Sequence, residues 1–451
     1  MMFAALPGAK IDGAAFIADA VAHGAAAIVA LPGTIVPANV TLIATNTPRL
    51  LLAQLAACLA GEMPRVIAAI TGTNGKTSSA DFLRQIWDFS GIKAASIGTL
   101  GIIEPGQPTR PSLTTPDPVT LANELAAMAA RGVDNVALEA SSHGLDQARL
   151  DGIKLAAGGF TNLTRDHLDY HGDMATYARA KLRLFGELLP EGAPAVISTT
   201  LDPAVREQLR RIATKRGLTY ATVGEGGSLL GIEQITPVPL GQILHLSTPS
   251  GPTEIMLPLA GRYQAENVLM AAGLALMLET PAALDALQAL KGVRGRLEFV
   301  SRLKGHGAAY VDYAHTPDAL TRLMQSLRPH CIGPDGVGRL ILVFGAGGDR
   351  DTGKRPLMGA AAQQMADIAI ITDDNPRSEN PALIRAAIKA ACPKGIEIGD
   401  RHLAIATALD LAAPGDIVVV AGKGHELGQI VGDQILPFDD AAVIRDLLGG
   451  A

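Results

Sequence analysis

The stretch Val66 to Ser78 constrains the fold of this chain more than any other. An apolar strand over Val66–Ile70 runs into Thr71-Gly72-Thr73-Asn74-Gly75, and the pattern predicts a helix beginning near Lys76. Strand, glycine-rich turn and helix in that order make a phosphate-binding loop. Gly72 and Gly75 permit a tight turn that brings N–H groups close to phosphate oxygens. Lys76 adds a point charge, and the Thr77 hydroxyl suits Mg²⁺. The usual pattern has a further glycine where Ile70 stands, so this loop is a shortened variant.

A loop of this kind sits on a parallel sheet. The strands expected around it are apolar and separated by helical patterns: Val66–Ile70, Asn135–Glu139 and Gly159–Thr164. That alternation implies helices on both faces of the sheet. Short βα signals precede it: a helix near Ala14–His23, a strand at Ala26–Ala30 and a helix at Leu50–Leu59. A strand at Ala195–Ser198 follows, then a Gly-, Thr- and Pro-rich stretch, Thr222–Leu259, that reads as antiparallel hairpins. A second α/β unit begins near Val300, with strands at Ala308–Asp312, Leu340–Phe344, Asp367–Ile371 and Ile417–Val420. With 451 residues the chain exceeds one ordinary core. The expected class is α/β in three domains: a small, shortened N-terminal α/β domain (1–63), a central phosphate-loop domain with a mostly parallel sheet (64–299), and a Rossmann-like C-terminal domain (300–451).

Charge and cysteine usage narrow the function. The net charge of −6 offers no basic stripe for a nucleic-acid backbone. The three cysteines, Cys58, Cys331 and Cys392, are far apart and lack CxxC spacing, as expected of a reducing compartment. The N-terminus carries no basic segment ahead of an apolar run, and no run reaches the ~18–20 apolar residues of a membrane span. A cytoplasmic monomer without nucleic-acid or membrane partners is expected.

Polar residues gather where strands end, the rim at which doubly wound sheets bind ligands. Glu139 closes the strand Val136–Glu139 and is a hard oxygen ligand suited to Mg²⁺. The segment Thr161 to Gly172 is crowded with hydroxyls, charges and histidines, among them His167, a candidate base or metal ligand. Lys181 falls on the apolar stripe of a helix beginning near Met174, with Met174, Tyr177, Leu184, Phe185 and Leu188. A lysine there must snorkel, find a partner or shed its charge. A desolvated lysine is also nucleophilic, and its carbamate with CO₂ would be an anion. In the second unit, Gly345-Ala346-Gly347-Gly348-Asp349-Arg350 departs from a dinucleotide fingerprint, because Arg350 replaces the third glycine. Arg350, Arg355 and Arg377 follow strands and suit carboxylates. Gly422-Lys423-Gly424-His425-Glu426 allows close approach, and Glu426 could take an ammonium group.

In order along the chain stand TGTNGKTS, LTTPD, EASSHGL, NLTRDHLDYHG, YARAK, GRLE, DYAHTPD, GAGGDRDTGKRPLM, DNPR and AGKGHE. From about residue 3 to the C-terminus this series resembles the Mur ligase family, the ATP-dependent amide ligases of peptidoglycan synthesis, and within it the branch that adds 2,6-diaminopimelate. The resemblance implies that Gly72, Thr73, Asn74, Gly75, Lys76, Thr77 and Ser78 hold the phosphates of ATP, with Thr77 on Mg²⁺. Glu139 and His167 would bind a second Mg²⁺, helped by Lys181 as its carbamate. Thr114, Thr115, Ser141, Gln147 and Arg149 match positions for the substrate UDP-N-acetylmuramoyl-L-alanyl-D-glutamate. Asn267, Arg296 and Asp312 match ATP-contacting positions, with His315 close to the nucleotide. Arg350, Asp374, Asn375, Pro376, Arg377, Gly422 and Glu426 match the site of the incoming amino acid, and Arg377 would grip the distal carboxylate of meso-diaminopimelate. Two departures stand out: an Asp-Ser-Arg stretch that relatives carry upstream is missing here, and Leu113 stands where some have Asn.

The activity implied is phosphorylation of the D-glutamate side-chain carboxylate by ATP, followed by attack of the diaminopimelate amine on the acyl phosphate. Lys76, Glu139, His167 and Lys181 are the expected catalytic residues, and the C-terminal domain is expected to close over the central one. The alternatives are a lysine-adding relative, a folylpolyglutamate synthetase-like ligase, and a silent nucleotide-binding protein.

Overall fold

The structure is a computed structural model and describes residues 1–8, 11–333 and 336–449. It divides into two compact units, residues 1–229 with 270–283, and residues 230–269 with 284–449.

The first unit opens with a parallel three-stranded sheet, β1 (Met2–Ala4), β2 (Ala27–Ala30) and β3 (Thr41–Ala44), in that order. Ile17, Ala20, Ile28 and Val40 form its small core. The main sheet of the unit contains β4 (Val66–Thr71), β5 (Ala94–Gly98), β6 (Gly101–Ile103), β7 (Asn135–Glu139), β8 (Ala157–Phe160), β9 (Pro194–Ser198) and β10 (Thr219–Glu225). Their spatial order is β6-β5-β7-β4-β8-β9-β10, and only the β5–β6 pair is antiparallel. β4 lies between β7 and β8, so the phosphate loop, Glu139 and Thr161 leave three adjacent strands at one edge of the sheet.

Alternation sorts the side chains of these strands. Ile67, Ala69, Val136, Leu138, Phe160 and Ile197 belong to one buried cluster with Leu121, Leu125 and Phe185. Ile70 and Gly159 face the other way, and Gly159 leaves room for Met270 and Leu274 of the helix Arg262–Met277. Each fully buried Leu, Ile or Phe contributes roughly 1.5–3 kcal/mol relative to leaving it exposed.

Two boundaries differ from expectation by several residues. β8 stops at Phe160 and does not run to Thr164, because the hydroxyl of Thr161 and the amide of Asn162 bond the phosphate loop instead of a strand. Thr222 lies in β10, which is parallel to β9; the antiparallel meander starts later.

The second unit holds that meander, β11 (Leu230–Val238), β12 (Gly241–Thr248) and β13 (Gly251–Leu257). Its large sheet contains β14 (Glu298–Arg302), β15 (Ala308–Asp312), β16 (Leu340–Phe344), β17 (Ile368–Ile371), β18 (Ile396–Glu397) and β19 (Ile417–Ala421). The order is β14-β15-β19-β16-β17-β18, with only β14 antiparallel to its neighbour. Leu340, Leu342, Phe344, Val419 and Ile371 face one cluster with Leu320, Met358 and Ile384. Ile341, Val343, Val418, Val420 and Ile370 face another with Ala404, Ile405 and Ile444. The chain ends in a small hairpin, β20 (Gly428–Val431) and β21 (Gln434–Pro437), and the helix Asp440–Leu447. Among the described residues no helix is long and apolar enough to cross a membrane.

Candidate active site

The phosphate loop is built as its glycines require. Gly72 has φ 149°, and a Cβ there would lie 1.9 Å from Thr161 Oγ1. Gly75, at φ 83°, precedes the helix Lys76–Phe89. The loop is tied to the end of β8. Thr73 N–H donates to Asn162 O at 2.8 Å, Asn74 N–H to Asn162 Oδ1 at 2.9 Å, and the Thr161 hydroxyl to Asn74 O at 2.6 Å. Lys76 Nζ curls back onto the carbonyls of Gly72 and Thr73, at 3.0 and 2.8 Å. Ser78 is buried; Thr77 is half-buried and lines one small cavity with Asp81, Gly98 and Glu139.

Lys181 does not snorkel. It is 1% exposed, and its Nζ donates to the Gly72 carbonyl at 2.7 Å and lies 4.6 Å from the centre of the Tyr177 ring. Burial, and after it the Lys76 charge, push the Lys181 ammonium well below the usual lysine range. Its helix runs Met174–Arg183, capped by Asp173, and continues as a π-helical turn over Leu184–Leu188. Tyr177, Leu184 and Phe185 are buried as expected, but Met174 and Leu188 are only half-buried.

Glu139 is 1% exposed at the end of β7. Thr99 N–H donates to its Oε1 at 2.8 Å, and the Thr99 hydroxyl lies 3.3 Å from Oε2. Its side chain fills the space over Gly98, where a Cβ would come within 2.0 Å of Oε1. His167 is different: its backbone is left-handed at φ 51°, and its half-exposed ring lies 3.4 Å from Asp166. The ring packs against His143 and Tyr177, with centroids 5.0 and 6.3 Å away, and the Tyr177 hydroxyl donates to Thr73 Oγ1 at 3.1 Å.

The residues predicted to hold the nucleotide-linked substrate join the same rim. The Thr114 and Thr99 hydroxyls are 3.0 Å apart. Buried Thr115 donates to Glu139 O at 2.7 Å and accepts from Ser141 N–H at 2.9 Å. Arg149 donates to Thr115 O at 2.6 Å and to Gln147 Oε1 at 2.8 Å. Gln147 reaches the Tyr170 hydroxyl at 3.2 Å. Thr99, Asn162, Tyr170 and Tyr177 were not singled out from sequence. Asn162, Tyr170 and Tyr177 lie in segments read there, and Thr99 had no signal of its own.

In the second unit, Asp312 ends β15 and accepts from Leu297 N–H at 2.6 Å and Ala314 N–H at 2.8 Å. Burial raises its carboxyl above the usual range, against the pull of Arg296. Arg296 lies 4.6 Å from the Tyr313 ring, and its carbonyl accepts from Gln264, which also meets buried Asn267 at 3.4 Å. His315 bonds Tyr313 O at 2.8 Å, and partial desolvation holds its imidazolium below the usual range.

A second group forms at the ends of β16, β17 and β19. Asn375 donates to Glu426 Oε2 at 2.8 Å. Gly422 lies under the Asp374 carboxylate, since a Cβ there would sit 2.4 Å from Oδ2. The Pro376 carbonyl packs on Gly348, whose N–H donates to Asn375 O at 2.9 Å. Arg377, at φ 51°, donates from Nη1 to Gly348 O at 2.8 Å, and its backbone is paired with Ile430 and Gly432. Arg350 is exposed. Arg355, offered as a carboxylate-binding arginine, is instead buried against Glu379 at 2.8 Å. Two wholly buried cations behind this group, Lys423 and Arg401, were missed: a lysine between glycines reads as a polar turn, and Arg401 heads a helix.

The Mur ligase middle domain model matches residues 70–275, and the model described as "Mur ligase, glutamate ligase domain" matches residues 295–424. The UDP-N-acetylmuramoyl-L-alanyl-D-glutamate–2,6-diaminopimelate ligase of Caulobacter vibrioides is 51% identical over 100% of this chain and 93% of its own length. The ligase of the same name from Rhizobium meliloti is 49% identical over 100% and 91%. A solved structure of a ligase so named is 33% identical, with a TM-score of 0.73 over 99% of this chain and 92% of that one. A Mycobacterium tuberculosis folylpolyglutamate synthase, at 21% identity and TM-score 0.66 over 89% and 95%, shares the fold. The chain belongs to the Mur ligase family.

Proposed function

We propose that this protein uses ATP to join meso-2,6-diaminopimelate to UDP-N-acetylmuramoyl-L-alanyl-D-glutamate, a step in peptidoglycan biosynthesis. The observation that carries the reading is the single rim on which the phosphate loop, Glu139 and Lys181 meet the Thr114, Thr115, Ser141, Gln147 and Arg149 network. The names of the full-length relatives support it. In this reading residues 1–63 serve the uridine nucleotide, 64–299 ATP, and 300–451 the amino acid.

The D-glutamate side-chain carboxylate attacks the γ-phosphorus of ATP, the bond to ADP breaks, and an acyl phosphate forms. The diaminopimelate amine then attacks the acyl carbon, loses a proton, and phosphate leaves as the amide appears. A carboxylate is a poor acyl donor until it carries such a leaving group. Loop N–H groups and Lys76 hold the phosphates in line, while Arg149 and Gln147 orient the dipeptide. Asn267, Arg296, Asp312 and His315 serve the nucleotide. Arg350, Asp374, Asn375, Pro376, Arg377, Gly422 and Glu426 hold the acceptor, with Arg377 on its distal carboxylate.

Lys181 is read as a carbamate: its neutral amine attacks CO₂, a C–N bond forms, and the amine proton leaves. Depression of its ammonium by burial makes the neutral amine available. The Thr77 hydroxyl and the Glu139 carboxylate in one cavity are hard donors of the kind Mg²⁺ takes. Among the described residues no three His, Cys, Asp or Glu side chains gather as a metal site, so binding at Glu139 and His167 needs the anion that Lys181 would supply. Mg²⁺ in these two places would neutralise charge on the phosphoryl oxygens. The protein is read as a cytoplasmic monomer.

The test is amide formation from UDP-N-acetylmuramoyl-L-alanyl-D-glutamate and ATP, comparing meso-diaminopimelate with L-lysine. Strong preference for diaminopimelate is expected. Equal use of lysine would favour the lysine-adding alternative, and activity on folate instead would favour the synthetase-like one.

A further inference from the structure

Lys423 is 0% exposed, and all three of its ammonium donors have partners. Its Nζ donates to Asn375 Oδ1 at 3.1 Å, to Glu426 Oε2 at 3.3 Å, and to the Gly428 carbonyl. Asn375 Oδ1 also accepts from Ile430 N–H at 2.9 Å, so its amide can turn only one way, with Nδ2 donating to Glu426 Oε2 at 2.8 Å. Glu426 Oε2 is thus engaged twice. The Glu426 side chain is 34% exposed, so part of the carboxylate reaches solvent while the rest is held from behind.

The strand ends beneath Lys423 have a fastening of their own. Arg401, bidentate to Asp440 at 2.7 Å, provides it by donating to Ala421 O at 3.0 Å and Asp373 O at 3.4 Å. Arg401 takes backbone carbonyls just before the two loops. Lys423, besides the Gly428 carbonyl, takes two side chains inside them, and both belong to residues assigned above to the acceptor amino acid.

We propose that Lys423 is a positioning residue for acceptor recognition: it locks the Asn375 amide and orients the Glu426 carboxylate so that Oε1 meets an ammonium group of the incoming amino acid. This rests on the function proposed above. An ammonium buried behind a carboxylate compensates its charge without competing for its outer face, and a carboxylate fixed in one rotamer loses less entropy when it binds.

The experiment measures KM and kcat for all three substrates in the full chain, for wild type, Lys423→Met, Lys423→Arg, Glu426→Gln and the Lys423→Met/Glu426→Gln double variant. Lys423→Met is expected to raise the KM for diaminopimelate about 10- to 100-fold, the loss of a charge-assisted hydrogen bond, with the KM for ATP and for the nucleotide substrate within about twofold of wild type. Lys423→Arg is expected to recover part of the loss. In the Glu426→Gln background, Lys423→Met should add less than about threefold, because the lysine acts through that carboxylate. Equal losses for all three substrates, an unchanged acceptor KM, or fully additive penalties overturn the proposal. Should Lys423→Met not fold, Lys423→Arg decides alone: a several-fold rise in acceptor KM supports the proposal, and none refutes it. Should wild type take a different amino acid, the function proposed above fails and the same comparison is made with that acceptor.

Discussion

Lys76 and Lys181 donate to one carbonyl oxygen: their Nζ atoms lie 3.0 and 2.7 Å from Gly72 O. One ammonium belongs to the phosphate loop and is half-buried; the other rises from the helix Met174–Arg183 and is sealed from water. Burial disfavours the sealed ammonium most, the Lys76 charge adds repulsion, and the sealed one gives way. This makes Lys181 the side chain of the rim best suited to exist as a neutral amine.

Replacing Lys181 separates chemistry from stability. Because its folded pKa lies below the unfolded value of 10.5, the unfolded chain binds more protons below pH 10.5, and stability rises with pH toward that value. Lys181→Met removes the cost of burying, and so deprotonating, that ammonium. It is expected to stabilise the protein by about 1–3 kcal/mol near pH 7, with a gain that shrinks toward pH 10.5, while ligase activity falls at least ~100-fold. Lys181→Ala should regain some activity with added formate or acetate. Denaturant melts across pH and turnover assays check both; a fully active variant ends the carbamate reading.

Gly98→Ala tests how tightly Glu139 is held. The added methyl would lie 2.0 Å from Oε1, 2.5 Å from Cδ and 2.6 Å from Cγ of Glu139, so the carboxylate must leave its place. Activity is expected to drop by roughly 10²-fold, as for a misplaced catalytic group, and stability by about 1–3 kcal/mol. Near-wild-type turnover would show that Glu139 has room to adjust.

Much of this architecture was legible beforehand, for reasons that differ by element. β4, β7, β15, β16 and β19 are apolar runs buried on both faces, and such runs stand out in any sequence. Lys181 was visible because a charge broke an apolar stripe. Thr161 to Thr164 was misread as strand: its β-prone residues satisfy their hydrogen bonds against Thr71, Thr73 and Asn74, which are about 90 residues away in the chain. Lys423 and Arg401 stayed hidden because burial of a cation depends on partners brought from distant segments: Asn375 for one and Asp440 for the other.

Arg377→Lys keeps the charge at the proposed acceptor site but removes the planar fork. The backbone of Arg377 stays paired with Ile430 and Gly432 when the Nη1 bond to Gly348 O is lost. The KM for meso-diaminopimelate is expected to rise about 10- to 100-fold, with that for ATP nearly unchanged and discrimination against L-lysine reduced. Kinetics with both amino acids check it; equal losses for ATP and diaminopimelate would count against the assignment.

His330 gives the second unit a pH dependence of its own. It is 2% exposed, its Nε2 accepts from Gly261 N–H at 3.0 Å, and its Nδ1 donates to Val238 O at 3.0 Å. The neutral ring satisfies both contacts; a proton on Nε2 would abolish the first. Burial also pushes its pKa below the usual histidine value of 6.5. The unfolded chain takes up the proton first as pH falls below 6.5, so the stability from neutral His330 is complete above that pH, declines below it, and levels off beneath the folded pKa. Four other histidines, His143, His171, His315 and His425, shift the same way, so the effect of His330 is read from the difference between wild type and variant. His330→Asn is expected to be less stable by about 1–2 kcal/mol at pH 8, with a smaller further loss between pH 6.5 and pH 4.5 than wild type. Two stability curves that stay parallel through that window would mean that His330 does not titrate there.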